Sequence, residues 1–166
     1  MTVPRPLVGF YGDDFTGSSE NLAQFHRHGL KARLYIKIPA PQAFAAAAAE
    51  LDVVGIAGTA RALSPEAIEA ELAPAFAALA GLQPQLVQYK ICSTFDSSPT
   101  TGSFGKVIEV AKGHFPGCVF PLLAAAPDFG RYTAFGTHFA RFGERVERLD
   151  RHPSMATHPK TPMHEA

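Results

Sequence analysis

Short apolar runs alternate with helix-length stretches along this chain, and that alternation limits its folds more than any other feature. Residues 7–10, 31–38, 52–58, 86–91 and 118–123 read as strands. Helices are expected over 19–28, 42–50, 65–80 and from 101 through 111. Strands that alternate with helices build a mainly parallel sheet with helices on both faces, an α/β, Rossmann-like architecture. Beyond it, 138–142 and 145–149 suit a short hairpin turning near Gly143. The last stretch, 150–166, is proline-rich and fits neither regular helix nor inner strand.

Local signals refine the plan. Alternation of Ala32, Leu34, Ile36 and Ile38 with Lys31, Arg33, Tyr35 and Lys37 marks a half-exposed strand near a sheet edge. Gly29 ends the first helix. Ser64-Pro65-Glu66 starts the third with a capping serine, a proline at the first helical position and an acid in the first turn. Pro74 predicts a kink or break within it.

Composition excludes several classes. Lys+Arg and Asp+Glu both number 15, so no global field draws the chain to nucleic acid or to a membrane surface. Nothing resembles a bilayer span or a signal peptide, and Cys92 and Cys118 suit buried thiols in a reducing, cytoplasmic setting better than a bridge.

Two loops carry chemistry. In Val8–Gly17 the first strand ends at Gly12, and Asp13 and Asp14 follow where open α/β sheets bind ligands, with Ser18 or Ser19 available to cap the next helix. Carboxylates there can accept hydrogen bonds from hydroxyls, take a proton or hold a cation. As sequence neighbours their side chains should diverge. One is expected to face the pocket, and the other to support the loop or to help hold metal with nucleotide. The second loop, Lys90-Ile-Cys-Ser-Thr-Phe-Asp-Ser-Ser, gathers hydroxyls around Asp96. The following Thr101–Lys106 opens a helix whose amides could face an anion, although its spacing fails the phosphate-loop pattern. His152, His158, His164, Met155 and Met163 of the tail lack the helical pairing of a metal site, and no metal is expected there.

Gly12-Asp-Asp-Phe-Thr-Gly, the Lys90–Ser98 stretch, Phe129-Gly-Arg-Tyr-Thr and the tail from Arg151 to Met163, in this order, resemble the N-terminal lobe of the four-carbon acid sugar kinases. These are the 3-oxo-tetronate, threonate and erythronate kinases. The resemblance implies a substrate-binding lobe of an ATP-dependent enzyme, with Asp13 and Asp14 at the substrate hydroxyls as catalytic residues. It places Lys90, Ser93, Thr94 and Asp96 in the same pocket, and offers Arg61 and Arg131 to the substrate carboxylate. It divides the chain into a sugar-acid-binding lobe, 1–150, and a tail, 151–166, leading to an ATP-binding lobe.

The departures are Ala60-Arg61, where a serine-arginine pair is expected, and Ser18 as the final small residue of the first motif. Relatives continue past Met163-His-Glu-Ala into a second lobe, and these residues hold no glycine-rich nucleotide loop. The expectation is a half-enzyme: an excised domain, a truncated product or one partner of a split protein. ATP and magnesium belong to the complete enzyme, and none is expected on this chain alone. Its partners would be a small sugar acid and the ATP lobe; a homo-oligomer stays open. The rivals are a sugar-acid binding module without catalysis and an unrelated Rossmann-like domain using the acids for metal. The tail is expected to be the most mobile segment unless docked on the lobe.

Overall fold

A computed structural model of the chain describes residues 6–153. Four parallel strands form the main sheet: β1 (Val8–Gly12), β2 (Ala32–Tyr35), β3 (Val53–Ala57) and β4 (Leu86–Lys90), in the order β2-β3-β1-β4. The half-exposed strand lies at an edge, as its alternating pattern predicts, and the fully buried β3 lies inside. The helices are α1 (Phe15–Arg27), α2 (Pro41–Ala48), α3 (Pro65–Gly81) and α4 (Phe104–His114).

Successive residues of β1 point to opposite faces and so fix both layers. Phe10 stacks on Phe25 of α1 at 6.0 Å, whereas Tyr11 meets Phe76 of α3 edge-on at 6.4 Å. The main core lies on the Tyr11 side, where Val54 and Ile56 pack with Phe44, Ile68, Leu72, Leu79, Val107 and Val110. The Tyr11 hydroxyl donates to Glu71, which also accepts from the Thr59 backbone N–H at 2.8 Å, so α3 is tied to the exits of β1 and β3.

Ser64 caps α3 as expected, accepting from the Ala67 N–H. Pro74 does not break that helix, which runs unbroken to Gly81. Its neighbours Leu72, Ala75 and Phe76 are buried, and this packing holds the backbone helical across the missing N–H.

The expected strand at 118–123 is not a strand: these residues make no ladder. Pro121 lies in the middle of the run and has no N–H to donate. Phe120 turns to the core while Val119 and Leu123 face outward. Cys118 is exposed rather than buried, and both cysteines are free thiols.

The hairpin forms and acquires a third strand. A second, antiparallel sheet joins β5 (Arg131–Ala134), β6 (Thr137–Phe142) and β7 (Arg145–Arg148) in chain order. Phe142 pairs with Arg145, so the turn falls at Gly143 as predicted. Between β5 and β6 the corner is Phe135-Gly136, both residues left-handed. This sheet shares a smaller core, Phe95, Phe104, Ala124, Ala140 and Leu149, with the loop after β4. The expectation of a mobile tail falls largely on residues outside the described ones. His152, at its start, is buried against the edge of Phe142.

Phe135 is fully exposed in a conformation that suits asparagine far better than an aromatic residue. Phe135→Asn should raise stability by about 0.5–1 kcal/mol, read as a higher urea midpoint at unchanged slope. An unchanged or lower midpoint would show that the side chain contributes to folding.

Candidate functional site

The strand exits meet at the carboxyl edge of the sheet, and β1, flanked by β3 and β4, sits at the centre. Its last backbone groups stitch all three exits together. The Gly58 N–H donates to Gly12 O at 3.0 Å, the Asp13 N–H to Lys90 O at 3.1 Å, and the Arg61 N–H to Asp13 O at 3.3 Å. Gly12 is required because a Cβ there would lie 2.0 Å from Ser18 Oγ, with the α1 backbone close behind. A Cβ on Gly17 would strike Asp14 Oδ1 at 2.4 Å and lie 3.4 Å from Lys90 Nζ.

The adjacent acids diverge. Asp14, not Ser18 or Ser19, caps α1: its Oδ1 accepts from the Gly17 N–H at 2.6 Å, and α1 therefore starts at Phe15 rather than at 19. The two serines instead donate back to the carbonyls of Asp14 and Phe15. The second Asp14 oxygen pairs with Arg61 at 2.9 Å. Asp13 is only 2% exposed, and neither of its carboxylate oxygens has a hydrogen-bond partner of ordinary geometry. Burial, then the Asp14 charge, push its carboxyl from the usual 3.8 up to about 6, against the pull of Arg61, Lys90 and the Cys92 backbone.

Arg61 follows β3 in a single 3-10 turn, Ala60–Ala62. Burial lowers the affinity of its guanidinium for the proton, but the neighbouring Cys92, Asp14, Asp13 and Asp96 outweigh that and raise it. Lys90 ends β4 and bends onto the Ile91 carbonyl at 2.5 Å. In the loop beyond, Thr94 Oγ1 donates to Asp96 Oδ2 at 2.5 Å. Asp13, Asp14, Arg61, Lys90 and Asp96 thus form one electrostatic group, with Thr94 attached through Asp96. Arg131 stands apart on β5, with Nη1 donating to Phe129 O at 3.1 Å and Nε buried without a partner.

At the helix opening over 101–106, two of the first amides are taken up by serine hydroxyls. The Phe104 N–H donates to Ser97 Oγ at 3.1 Å and the Lys106 N–H to Ser103 Oγ at 3.2 Å. Among the described residues no three His, Cys, Asp or Glu side chains are grouped to hold a metal ion.

Two features escaped the sequence. Phe95, between Thr94 and Asp96, is fully buried at φ 56°, a left-handed conformation costing about 1–3 kcal/mol outside glycine. His138 of β6 is fully buried and touches the same loop. Its place beside Ala140 on the inward parity of β6 was the available signal: a histidine where the alternation calls for an apolar residue.

A family model described as a sugar-binding N-terminal domain matches residues 8–166. The chain belongs to this family. The 3-oxo-isoapionate kinase of Paraburkholderia graminis is 42% identical over 160 residues, covering 96% of this chain and 34% of that protein. The 3-oxo-tetronate kinase of Pseudomonas fluorescens is 33% identical over 169 residues, covering 100% of this chain and 37% of that protein. The chain therefore spans about a third of the length of these curated relatives. A solved Bordetella bronchiseptica domain of unknown function (DUF1537), a domain-swapped dimer with bound citrate, superposes at TM-score 0.74 and 25% identity, covering 96% of this chain and 39% of that one. A Salmonella typhimurium structure reaches TM-score 0.78 at 24% identity, covering 98% of this chain and 36% of that one. No helix among the described residues is long and apolar enough to cross a membrane.

The raised Asp13 carboxyl fixes a sign for stability. The folded chain holds this proton more tightly than the unfolded one, so the contribution of Asp13 falls as pH rises from about 4 through about 6. Asp13→Asn should gain about 1–3 kcal/mol over the parent at pH 7.5 and nothing at pH 4, by urea unfolding at both. A variant less stable than the parent at pH 7.5 would show that Asp13 is held as a favourable anion.

Proposed function

We propose that this chain is the sugar-acid-binding lobe of an ATP-dependent kinase that phosphorylates a four-carbon acid sugar of the 3-oxo-tetronate type. The single observation that carries the reading is Asp13: a buried carboxylate with both oxygens unpartnered, beside two cations, at the carboxyl edge of the sheet. The names of its relatives, 3-oxo-isoapionate and 3-oxo-tetronate kinases, supply the substrate class. Citrate, bound in the Bordetella structure, is likewise a hydroxy acid, and the domain-swapped dimer there supports a homo-oligomer here.

In this reading Asp13 accepts a hydrogen bond from the substrate hydroxyl and takes its proton as that oxygen attacks the phosphoryl group. A carboxyl near 6 suits a base at neutral pH, because it is ionised yet still holds a proton well. Asp14 orients the loop by capping α1 and holding Arg61. Arg61 keeps charge for the substrate carboxylate, and Thr94, Asp96, Lys90 and Ser93 line the site. Arg131, on the neighbouring sheet, is a second candidate for the carboxylate, with its buried Nε unpartnered.

Two amides at the start of α4, those of Phe104 and Lys106, are already bonded to serine hydroxyls, and among the described residues no three His, Cys, Asp or Glu side chains are grouped. ATP and magnesium, which would supply the phosphoryl group and neutralise its charge, are assigned to the second lobe of a two-lobed enzyme. The isolated chain should therefore transfer no phosphate.

Binding is testable directly. A sugar acid present at 100 times its dissociation constant stabilises a fold by about 2.7 kcal/mol, or about 5–10 °C for a domain of this size. 3-Oxo-tetronate should produce such a shift and ATP should not. Asp13→Asn in a complete two-lobed enzyme should lower turnover by about two to four powers of ten. No thermal shift with any four-carbon acid, together with near-parental turnover of the variant, would sink the proposal.

A further inference from the structure

We propose that His138 is a positioning residue for the sugar-acid site, holding the Ser93–Asp96 turn in its left-handed conformation. The inference rests on the reading of Ser93, Thr94 and Asp96 as ligand-facing groups. The stretch begins in a Cys92–Phe95 turn closed by a hydrogen bond from the Phe95 N–H to Cys92 O at 3.0 Å, and Phe95, its last residue, lies at φ 56°. A buried aromatic residue keeps that backbone only when its surroundings fix it. Phe104 provides one wall, at 5.0 Å between ring centroids. His138 provides the other, with its ring 5.6 Å from Phe95.

The imidazole links its own antiparallel sheet to the loop after β4. Nδ1 lies 3.0 Å from Thr133 Oγ1, the residue paired with it on β5, and Nε2 lies 3.4 Å from Ser93 O. A neutral ring protonated at Nε2 satisfies both contacts: it accepts from the Thr133 hydroxyl and donates to the Ser93 carbonyl. Burial and the Arg131 charge on the neighbouring strand β5 favour the neutral form, which the backbone contacts at Ser93 and Tyr132 oppose. The antiparallel sheet thereby fixes the Ser93 carbonyl, and with it the placement of Thr94 and Asp96 on either side of Phe95.

Gln and Asn separate this role from plain packing, because a Gln amide reaches the Nε2 position and an Asn amide only the Nδ1 position. H138Q should keep amide exchange at Thr94, Phe95 and Asp96 and 3-oxo-tetronate affinity within about three-fold of the parent. H138N should speed exchange at those three amides and weaken the ligand, each by about ten-fold or more, while exchange within α3 stays parental. Equal behaviour of the two variants, or loss spread evenly over the fold, overturns the proposal. Should H138N not fold, nitrogen-15 spectra of the parent decide: a neutral Nε2–H ring supports the clamp, and an Nδ1–H ring overturns it. If the parent binds no sugar acid, the reading of the site fails while the exchange comparison still judges the clamp. If the parent and H138N bind equally well, the clamp fails and the reading of the site stands.

Discussion

Much of this molecule follows from placing a carboxylate at the end of a strand that has neighbours on both sides. β1 lies between β3 and β4, and Asp13, the first residue past its end, is buried. A buried charge without partners is unfavourable by several kcal/mol unless cations approach or a proton is kept. Both responses are visible. Arg61 and Lys90 converge from the flanking exits, and the carboxyl still holds its proton to about pH 6. Such residual instability is common where a ligand is meant to complete the hydrogen bonding.

The neighbouring acid shows how one added residue changes a role. Asp14 projects the opposite way, onto the first amides of α1, where the helix dipole favours its charge and Arg61 completes the pairing. Gly12 and Gly17 are the steric counterpart of this arrangement. Each removes a Cβ that would collide with Ser18 or with Asp14 itself, so α1 can begin directly after the acids.

The second sheet supports the site rather than extending the main sheet. Its inward residues, His138 and Ala140, close the small core under Phe95 and Phe104, directly beneath the loop that carries Thr94 and Asp96. The candidate site therefore draws on both layers: the exits of the parallel sheet hold Asp13, Asp14, Arg61 and Lys90, and the antiparallel sheet backs the hydroxyl-bearing loop.

The sequence by itself determined the parallel α/β plan, the edge and inner strands, the Ser64 cap and the Gly143 turn. Each follows from local rules: side-chain periodicity, capping chemistry and the conformational freedom of glycine. It also brought out the two loops that carry the acids and hydroxyls, because polar clusters at strand exits have no packing role to explain them. It misplaced the start of α1, since either an aspartate or a serine can cap, and only the packing of Ser18 beneath Gly12 selects Asp14. It read 118–123 as a strand because apolar content is local, whereas pairing needs a partner and a donor that Pro121 lacks. The division of labour between Asp13 and Asp14, the left-handed Phe95 and the contact from His138 were decided only by tertiary structure. Those features depend on burial and on residues far apart in the chain meeting in space, such as Asp13 with Lys90 and Ser93 with His138, and no local pattern encodes either.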